Sequence, residues 1–395
     1  MYIGSKYLTF LFYSFLPFCL IDVINGYFSF HGIGIPVSQL YKVYLIFLLI
    51  PIILKNYLSI NVALFLLCGL FYQSSLYTIS FSEDVAVMMR NAIFVFSVLA
   101  FYQTRALLTC FHFFIIRRVF IVNFFVISFS VLSGIFGFGL TTYGNNLASI
   151  VRHMGFKGYF YAGNELGALL MCIFPFVVFS FESKTKQMLV IFLALTVAAS
   201  IGTKTALLSV LLISVLMLFH YVEFSRLARL FHIFTFAMLT FFSTFLLVSL
   251  LEERLDILTY FYEERGLIYL ILSGREVMLL DAKEMLIDNF SIMDYIFGVG
   301  SSYAGYKVKS TEIDFADILI WNGVFWMLFF HLFYIFFSCY VTHILPEKEK
   351  TIAGFMFILL FFASATAGHV FTSGMLLPII SLTLPYAYAK KYLVL

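Results

Sequence analysis

The sequence predicts an all-α polytopic membrane protein, and both its composition and its pattern of long apolar runs support that fold class. Of the 395 residues, 63% are hydrophobic and 11% are charged, and the mean hydropathy is +1.02. A soluble domain has roughly 45–50% apolar and about 25% charged residues. The composition therefore excludes a soluble enzyme, a disordered chain and a secreted scaffold held by disulfides.

Apolar runs long enough to cross a membrane recur along the whole chain. A transmembrane helix needs about 20 mostly apolar residues, and we count about twelve such runs. We therefore predict one integral membrane domain over residues 1–395. The runs are centred near 8–24, 37–54, 60–79, 86–104, 118–138, 164–182, 187–201, 205–220, 231–251, 317–340, 352–369 and 374–389. The short seventh and eighth runs flank a polar turn, which predicts a tight helical hairpin.

Lysines and arginines determine the predicted orientation, because short cytoplasmic loops are enriched in them. We expect both termini in the cytoplasm, since the inside segments then carry most loop cations. These are Lys6, Lys55, Arg105, Arg117, Arg118, Lys184, Lys186, Arg226, Arg229, Lys348, Lys350, Lys390 and Lys391. The net charge of +3 is small and scattered, which disfavours nucleic acid as a partner.

This orientation leaves two long loops on the outer side, at 139–163 and 252–316. The second loop lies between the ninth and tenth runs and holds more than half of the acidic residues. Apolar residues recurring at spacings of three to four predict helix between Glu252 and Asp288. The glycines at 298 and 300 predict a break after that helix.

The most informative polar residues lie at the outer ends of the predicted helices. A charge near the bilayer midplane costs at least about 2.5–3.5 kcal/mol, so ionisable residues in spans are functional candidates. Those at outer helix ends are Lys42, Arg90, Glu165, Lys204, Asp317 and His369, and the outer loops add Arg152, Lys157, Arg254, Arg265 and Arg275. Snorkelling or loop ion pairs could explain any one of them. As a set, they favour an anionic ligand such as a diphosphate, because arginine makes bidentate contacts with phosphate oxygens.

The first of four motifs is Gly-Asn-Glu-Leu-Gly at 163–167, at the start of the sixth run. Asn164 and Glu165 there are candidates for binding the substrate, because a helix N-terminus can hold an anion or a sugar hydroxyl. The alternative is an ordinary helix start, at which the helix dipole favours an acidic residue.

The second motif is Gly-Thr-Lys-Thr at 202–205, in the predicted hairpin turn. Lys204 could hold a phosphate there, although the motif lacks the glycine spacing of a P-loop. The alternative is a turn in which Thr205 caps the following helix.

The third motif is Ser-Gly-Arg-Glu at 273–276. It places Arg275 in the first turn of a predicted helix, where the dipole disfavours a cation. An anionic ligand would explain an arginine at that position. The alternative is an ion pair with Asp281 or Glu263.

The fourth motif contains three carboxylates, Glu312, Asp314 and Asp317, at the predicted boundary between water and lipid. Glu312 and Asp317 are candidates for a general base, and Asp314 for substrate binding. The alternative is a solvated loop. Such a trio can also bind a metal ion, but nothing else in the chain resembles a metal site, and we predict none. His153 and His369 are the two histidines that we predict to bind substrate.

These segments together resemble the O-antigen polymerase and O-antigen ligase superfamily of bacterial membrane glycosyltransferases. The matching residues are Gly-Asn-Glu-Leu-Gly at 163–167, Gly-Thr-Lys-Thr at 202–205, Ser-Gly-Arg at 273–275, Gly-Val-Gly at 298–300, Glu-Ile-Asp-Phe-Ala-Asp-Ile-Leu at 312–319, Gly323 and Gly-His at 368–369. The resemblance covers residues 150–375, in the family's order, and residues 1–140 match only in hydropathy.

The resemblance implies a GT-C-like fold in the bacterial inner membrane, with the active site on the periplasmic side. It implies inverting glycosyl transfer that needs no metal or other cofactor, from an undecaprenyl-diphosphate-linked oligosaccharide. A chain-length regulator and a flippase of the same pathway are further expected partners. The diphosphate would be held by Arg152, Arg275 and Arg265, with Lys204 and Arg90 as additional cations.

Two alternatives stay open at this point. Ligase members of the superfamily typically carry His-Asn where this chain has Glu312, eleven residues before Gly323. We therefore favour a polymerase that joins repeat units over a ligase that transfers polymer to the lipid A core. The alternative from another class is a secondary transporter or a lipid-linked sugar flippase. Transporters usually show repeated halves and polar residues at the midplane, and the sequence shows neither.

Overall fold

The computed structural model describes residues 4–77, 79–142, 155–221, 266, 275–307, 310–366 and 368–394. These residues are mostly helical, as the sequence predicts. The predicted ninth span at 231–251 and the predicted site residues Arg152, His153 and Arg265 lie outside the described residues.

The helices follow the apolar runs of the sequence. Before residue 222 they are α1 (Ser5–Tyr13), α2 (Phe18–Phe30), α3 (Val37–Ile53), α4 (Tyr57–Leu76), α5 (Phe81–Thr104), α6 (Cys110–Ser133), α7 (Gly163–Phe179), α8 (Lys184–Ile201) and α9 (Lys204–His220). From residue 275 they are α10 (Arg275–Asn289), α11 (Ile292–Phe297), α12 (Ser301–Lys307), α13 (Asp314–Ile344), α14 (Glu347–Thr366), α15 (Leu376–Ser381) and α16 (Thr383–Ala389).

The first predicted run forms two helices, α1 and α2. The break precedes α2 at Pro17, whose ring removes a backbone donor from a continuing helix.

Among the described residues, seven stretches are long and apolar enough to cross a membrane. They are Ser5–Phe30, Tyr57–Leu76, Phe81–Leu107, Cys110–Phe136, Lys184–Ile201, Asp314–Ile344 and Glu347–Thr366. The helices α3, α7 and α9 are also apolar but shorter. The chain is therefore an all-α polytopic membrane protein, in agreement with the predicted fold class.

The helix α7 forms the centre of the described bundle. Every residue from Leu166 to Phe179 is buried, and the helix packs against α6, α8 and α9. A helix that is apolar on all sides requires such a position. Gly167 brings α7 close to α9, because a Cβ at that position would lie 2.7 Å from the Cβ of Ala206. The first turns of α7 and α9, which carry the first two motifs, therefore lie side by side.

The predicted outer loop at 139–163 contains a small β-hairpin that the sequence did not indicate. Its strands are β1 (Leu140–Thr141) and β2 (Phe156–Gly158), and they pair antiparallel. Strands of two and three residues are too short to produce a recognisable alternation of apolar and polar residues. A Cβ at Gly158 would lie 2.2 Å from Ser130 Oγ, so the hairpin rests directly on the end of α6.

The segment from α11 to α12 lies against an interruption in α13. Gly323 has non-helical backbone angles inside α13, and both Gly298 and Gly323 have positive φ. A Cβ at Gly298 or Gly323 would lie 2.3 or 2.1 Å from a carbonyl oxygen of the other segment. The glycines at these two motif positions therefore permit direct contact between two backbones.

Two acidic residues fasten this segment to α4 and α5. Asp84 on α5 accepts hydrogen bonds from the backbone and side chain of Ser302 and from Ser301 Oγ, at 2.7–3.1 Å. Asp294 accepts from the hydroxyl groups of Tyr72 and Tyr77 at 2.8 and 3.0 Å. Burial raises the pKa of Asp294, but hydrogen bonds outweigh burial and hold this pKa below its ordinary value.

Candidate active site

A polar chamber of about 400 Å³ lies at the end of the bundle where α5, α7 and α13 begin. Four of the predicted site residues line it, and they come from distant parts of the sequence: Arg90, Glu165, Asp317 and His369. Glu83, Tyr161, Ser310, Thr311 and Thr372 add further polar groups to the lining. The fold therefore brings several predicted site residues to one cavity.

Arg90 is the principal cation of the chamber. It is the tenth residue of α5, so it lies about 13 Å along the axis from the start of that helix. Its side chain is exposed, and the described part of the structure gives it no hydrogen bond or ion pair. An arginine in a span without a fixed partner retains all five N–H donors for a ligand.

Glu165 is a carboxylate of the chamber that interacts with cations on other elements. It is in the first turn of α7, where the helix dipole favours an acidic side chain. Its Oε2 atom accepts a hydrogen bond of 2.5 Å from Ser373 Oγ, and it interacts electrostatically with His369, Arg90 and Lys42. Asn164 beside it is half-buried and lines neither of the cavities described here.

His369 is held by a chain of hydrogen bonds that ends at a buried carboxylate. Asp314 is fully buried, and its Oδ2 atom accepts from the backbone N–H groups of Val370 and Phe371 at 2.8 and 2.7 Å. Its Oδ1 atom accepts from Thr372 Oγ1 at 2.9 Å. Thr372 Oγ1 in turn lies 3.3 Å from His369 Nδ1.

This arrangement indicates which nitrogen of His369 carries the proton. Thr372 donates its single hydroxyl hydrogen to Asp314, so it can only accept from His369. In the neutral imidazole the proton is then on Nδ1, which leaves Nε2 as the acceptor nitrogen. Asp314, a predicted substrate-binding residue, is hydrogen-bonded in this structure to the loop that presents His369.

Asp317 is enclosed rather than solvated. Its side chain accepts hydrogen bonds from Ser310 Oγ, Thr311 N and Thr311 Oγ1 at 2.7–2.9 Å, and the residue is 1% exposed. Both carboxylate oxygens therefore have donors. The alternative interpretation of the fourth motif as a solvated loop does not apply to Asp314 or Asp317.

Arg275 and Glu312 form an ion pair beside the chamber. Arg275 begins α10, as predicted, and its Nη2 atom lies 2.8 Å from Glu312 Oε2. Its Nη1 atom donates to the carbonyl oxygen of Thr366 at 3.0 Å. Glu312 is thus a described partner of Arg275, and Glu263, one of the two partners that the sequence suggested, lies outside the described residues. Neither residue of the pair lines the chamber, although Ser310 and Thr311 next to Glu312 do.

Lys204 lies at the start of α9 and close enough to Arg275 for the two cations to repel each other. It is exposed and does not line the chamber. The hairpin turn before it forms as predicted, with Gly202 in the left-handed region at φ +71°. The N-cap is Thr203, whose side chain accepts from the N–H group of Ala206, and not Thr205 as the sequence suggested.

Backbone strain is concentrated at two of the predicted site residues. Among the described non-glycine residues, only Glu312 and His369 have positive φ, at +54° and +56°. Gly368 precedes His369 and contacts Glu312, because a Cβ at residue 368 would lie 2.4 Å from the carbonyl oxygen of Glu312. Conformations of this kind cost about 1–3 kcal/mol each and cluster at functional sites. The strain therefore supports a functional role for this region.

A large groove of about 940 Å³ adjoins the chamber. Arg90, Tyr161 and Glu165 line both spaces. The rest of the groove lies between α2, α3 and α5, and its lining includes the exposed apolar side chains Phe30, Leu40, Val43 and Phe81. The chamber and the groove therefore meet at Arg90 and Glu165.

The β-hairpin contributes one more cation to this groove. Lys157 on β2 lines it and donates a hydrogen bond of 2.6 Å from Nζ to the carbonyl oxygen of Tyr161. Burial lowers the pKa of the Lys157 ammonium group. The sequence showed Lys157 only as a loop cation.

Some residues in or beside the two cavities were not among the predicted site residues. Thr372 and Ser373, which contact His369 and Glu165, have no distinguishing sequence pattern. Lys42 could be identified from the sequence as a cation at an outer helix end, but its hydrogen-bond partners Asp22 and Ser38 could not. In the described ranges, no group of three or more His, Cys, Asp or Glu residues is arranged to hold a metal ion.

Comparison of the chain with protein-family models, curated proteins and solved structures finds no significant match.

Proposed function

We propose that this protein is a membrane glycosyltransferase that lengthens a surface polysaccharide from lipid-linked repeat units. One observation carries the proposal, namely that the polar chamber and the apolar groove are joined at Arg90. A ligand that fits both spaces has an anionic, hydroxyl-rich head and a long apolar tail. An oligosaccharide linked through a diphosphate to a polyprenol has that chemistry.

The sizes of the two spaces agree with such a ligand. Ligand sites usually occupy about 300–1,000 Å³ and bury most of the bound molecule. The chamber, at about 400 Å³, suits a diphosphate and the sugars next to it, and the groove, at about 940 Å³, suits a stretch of polyprenyl chain. The exposed apolar residues of the groove would otherwise contact lipid, so a polyprenyl chain can enter sideways from the bilayer.

The chamber residues supply the groups that an inverting transfer needs. Arg90 neutralises the donor diphosphate and stabilises the charge that develops on it as the bond to the sugar breaks. The Nε2 atom of His369 accepts the proton of the acceptor hydroxyl, which attacks the anomeric carbon from the opposite face. The growing chain is thereby transferred to the acceptor's lipid carrier, and the donor's carrier leaves as a diphosphate.

We assign the base to His369 in preference to Glu312 and Asp317. Glu312 is engaged by Arg275, and both oxygens of Asp317 accept hydrogen bonds. We propose that the Arg275–Glu312 pair supports the loop that carries His369, because Arg275 also bonds to the last residue of α14. The role of Arg152 and Arg265 in diphosphate binding, implied by the family resemblance, and that of His153 in substrate binding stay predictions.

The finer topology is part of the same proposal. The distribution of lysine and arginine favours both termini in the cytoplasm, about twelve spans and a GT-C-like arrangement in a bacterial inner membrane. The chamber then faces the periplasm, where lipid-linked repeat units are available for polymerisation. A chain-length regulator and a flippase would act beside it.

Cell-surface polysaccharide from a deletion strain tests the proposal. The strain is complemented with wild type, Arg90→Gln, His369→Gln or Arg118→Gln. Arg118 is a matched control, because it is the exposed ninth residue of α6 and lies toward the opposite end of the bundle. We expect wild type and Arg118→Gln to restore long polymer, whereas Arg90→Gln and His369→Gln give single repeat units. Long polymer from Arg90→Gln at normal expression would contradict the proposal.

The same strain separates the rival functions. Loss of a polymerase leaves single repeat units on the lipid A core, whereas loss of a ligase leaves the core uncapped. Loss of a flippase would leave lipid-linked repeat units inside the cell. A secondary transporter would leave the surface polysaccharide unaltered.

A further inference from the structure

A second cation lies at the junction of the chamber and the groove. Lys42 is on the second turn of α3, and its Nζ atom donates to Asp22 Oδ1 at 3.1 Å and to Ser38 Oγ at 2.6 Å. Ser38 also donates to Asp22 Oδ1. All three residues line the groove. The hydrogen bonds in the described part of the structure use two of the three N–H groups of Lys42, and the third remains for a ligand.

Lys42 and Arg90 both lie next to Gly374. A Cβ at residue 374 would lie 3.3 Å from Lys42 Nζ and 3.3 Å from Arg90 Cγ. Gly374 also lines the groove, so the absence of a side chain leaves open space between the two cations. Helices α3 and α5, which carry these cations, pack against each other, and this fixes their spacing.

The buried counter-ion of Lys42 is incompletely satisfied. Asp22 is 8% exposed, and its Oδ2 atom is buried without a hydrogen-bond partner. Pairing in a low-dielectric region stabilises two ions only if their remaining polar atoms are satisfied. A pair that is both incomplete and adjacent to a groove therefore contributes less stability than a fully bonded one. It is well suited to keep a lysine ready for an anion.

We propose that Lys42 and Arg90 together hold the two phosphates of the lipid carrier, and that Lys42 determines the preference for a lipid diphosphate over a lipid monophosphate. This inference rests on the proposed function. A monophosphate has one anionic group and can be held by Arg90 alone. A diphosphate has two linked groups, and the second reaches Lys42 across the gap at Gly374.

Binding measurements on the full-length protein in detergent test this inference without any transfer reaction. The probes are polyprenyl diphosphate, polyprenyl monophosphate and inorganic diphosphate, each titrated by native mass spectrometry. Wild type should bind the lipid diphosphate at least about tenfold more tightly than either other probe. That factor corresponds to a difference of about 1.4 kcal/mol in binding free energy. Lys42→Gln should lose most of the preference over the monophosphate, whereas Arg90→Gln should weaken both lipids.

Two further variants separate a binding role of Lys42 from a structural one. Asp22→Asn also breaks the Lys42–Asp22 pair but leaves the cation. It should lower the melting temperature and yet bind the diphosphate at least as tightly as wild type, because a competing negative charge is gone. Lys350→Gln is the matched control, since Lys350 pairs with Glu347 on the exposed first turn of α14. It should bind all probes as wild type does.

The outcomes distinguish failure of the inference from failure of the proposed function. If Lys42→Gln keeps the diphosphate preference, or if Asp22→Asn loses it equally, Lys42 has only a structural role and the inference is wrong. The proposed function then stands, provided that Arg90→Gln weakens lipid binding. If wild type binds inorganic diphosphate as tightly as the lipid, or binds neither lipid, both fail.

Discussion

Replacing Thr372 by valine tests whether the hydrogen-bond chain orients His369. Valine keeps the shape of threonine and removes the hydroxyl that bonds to Asp314 and His369. A hydrogen bond to a charged group contributes about 1.5–3 kcal/mol, so the free energy of unfolding should fall by about that amount. The bond to His369 joins two neutral groups and contributes about 0.5–1.5 kcal/mol.

The hydrogen bond between Thr372 and His369 determines the effect on catalysis. Since 1.4 kcal/mol corresponds to a factor of ten, losing the bond to His369 should reduce kcat by about 2–12-fold. KM should change little, because Thr372 only orients the base and does not hold the diphosphate. The assay is the initial rate of polymer formation by purified protein in liposomes with lipid-linked oligosaccharide.

Thr372→Ser supplies the matched control, because serine retains the hydroxyl. We expect it to recover most of the wild-type kcat. Full activity of Thr372→Val would refute the proposed orientation of His369. An equal loss in Thr372→Ser, which keeps the hydroxyl, would show that the hydrogen-bond chain alone does not orient His369.

Three further predictions concern the fold around the site. Gly323→Ala should lower the melting temperature strongly, because residue 323 has a positive φ and its Cβ would lie 2.1 Å from a carbonyl oxygen. Gly34→Ala is the control and should not lower it, because a Cβ there would have no atom within 4 Å. Equal melting temperatures would contradict the contact at Gly323. In a double-mutant cycle, Arg275→Ala and Glu312→Gln should show a coupling of up to about 1 kcal/mol that decreases with salt, because Glu312 is 39% exposed, and additive effects would contradict the pair. The pKa of Asp294 lies below 3.8 in the folded protein, so its stabilising contribution is complete above that pH and is lost as pH falls through the folded pKa. The difference in melting temperature between wild type and Asp294→Asn should therefore be constant near neutral pH and decrease only in acid, and a decrease near neutral pH would contradict this assignment.

The helices could be predicted from the sequence because each long apolar run has only one stable form in a membrane. A helix satisfies every backbone polar group internally, so the run itself indicates the element. Interruptions were harder to predict. The non-helical residue in α13 depends on Gly323 contacting Gly298 and its neighbours, which is a relation between segments distant in sequence.

The site could be predicted only in part, for a similar reason. Arg90, Glu165 and His369 were identifiable because ionisable residues at the ends of spans are rare and costly. Their grouping follows from the packing of α15 against both α5 and α7 and from the loop before α15, which no local pattern specifies. Glu312 and Asp317 were both candidate bases, with Glu312 preferred, but only the structure shows that Glu312 is paired with Arg275 and that Asp317 accepts hydrogen bonds on both oxygens.

The central claim is that one lipid-linked diphosphate occupies both the chamber and the groove. The most direct measurement is photo-cross-linking with a polyprenyl diphosphate that carries a diazirine on its tail, followed by peptide mapping. We predict labelling of groove residues on α2 and α3, such as Phe30 and Val43, and loss of that labelling in Arg90→Gln but not in Arg118→Gln. Labelling spread evenly over the lipid-facing helices, or unaltered in Arg90→Gln, would contradict the account.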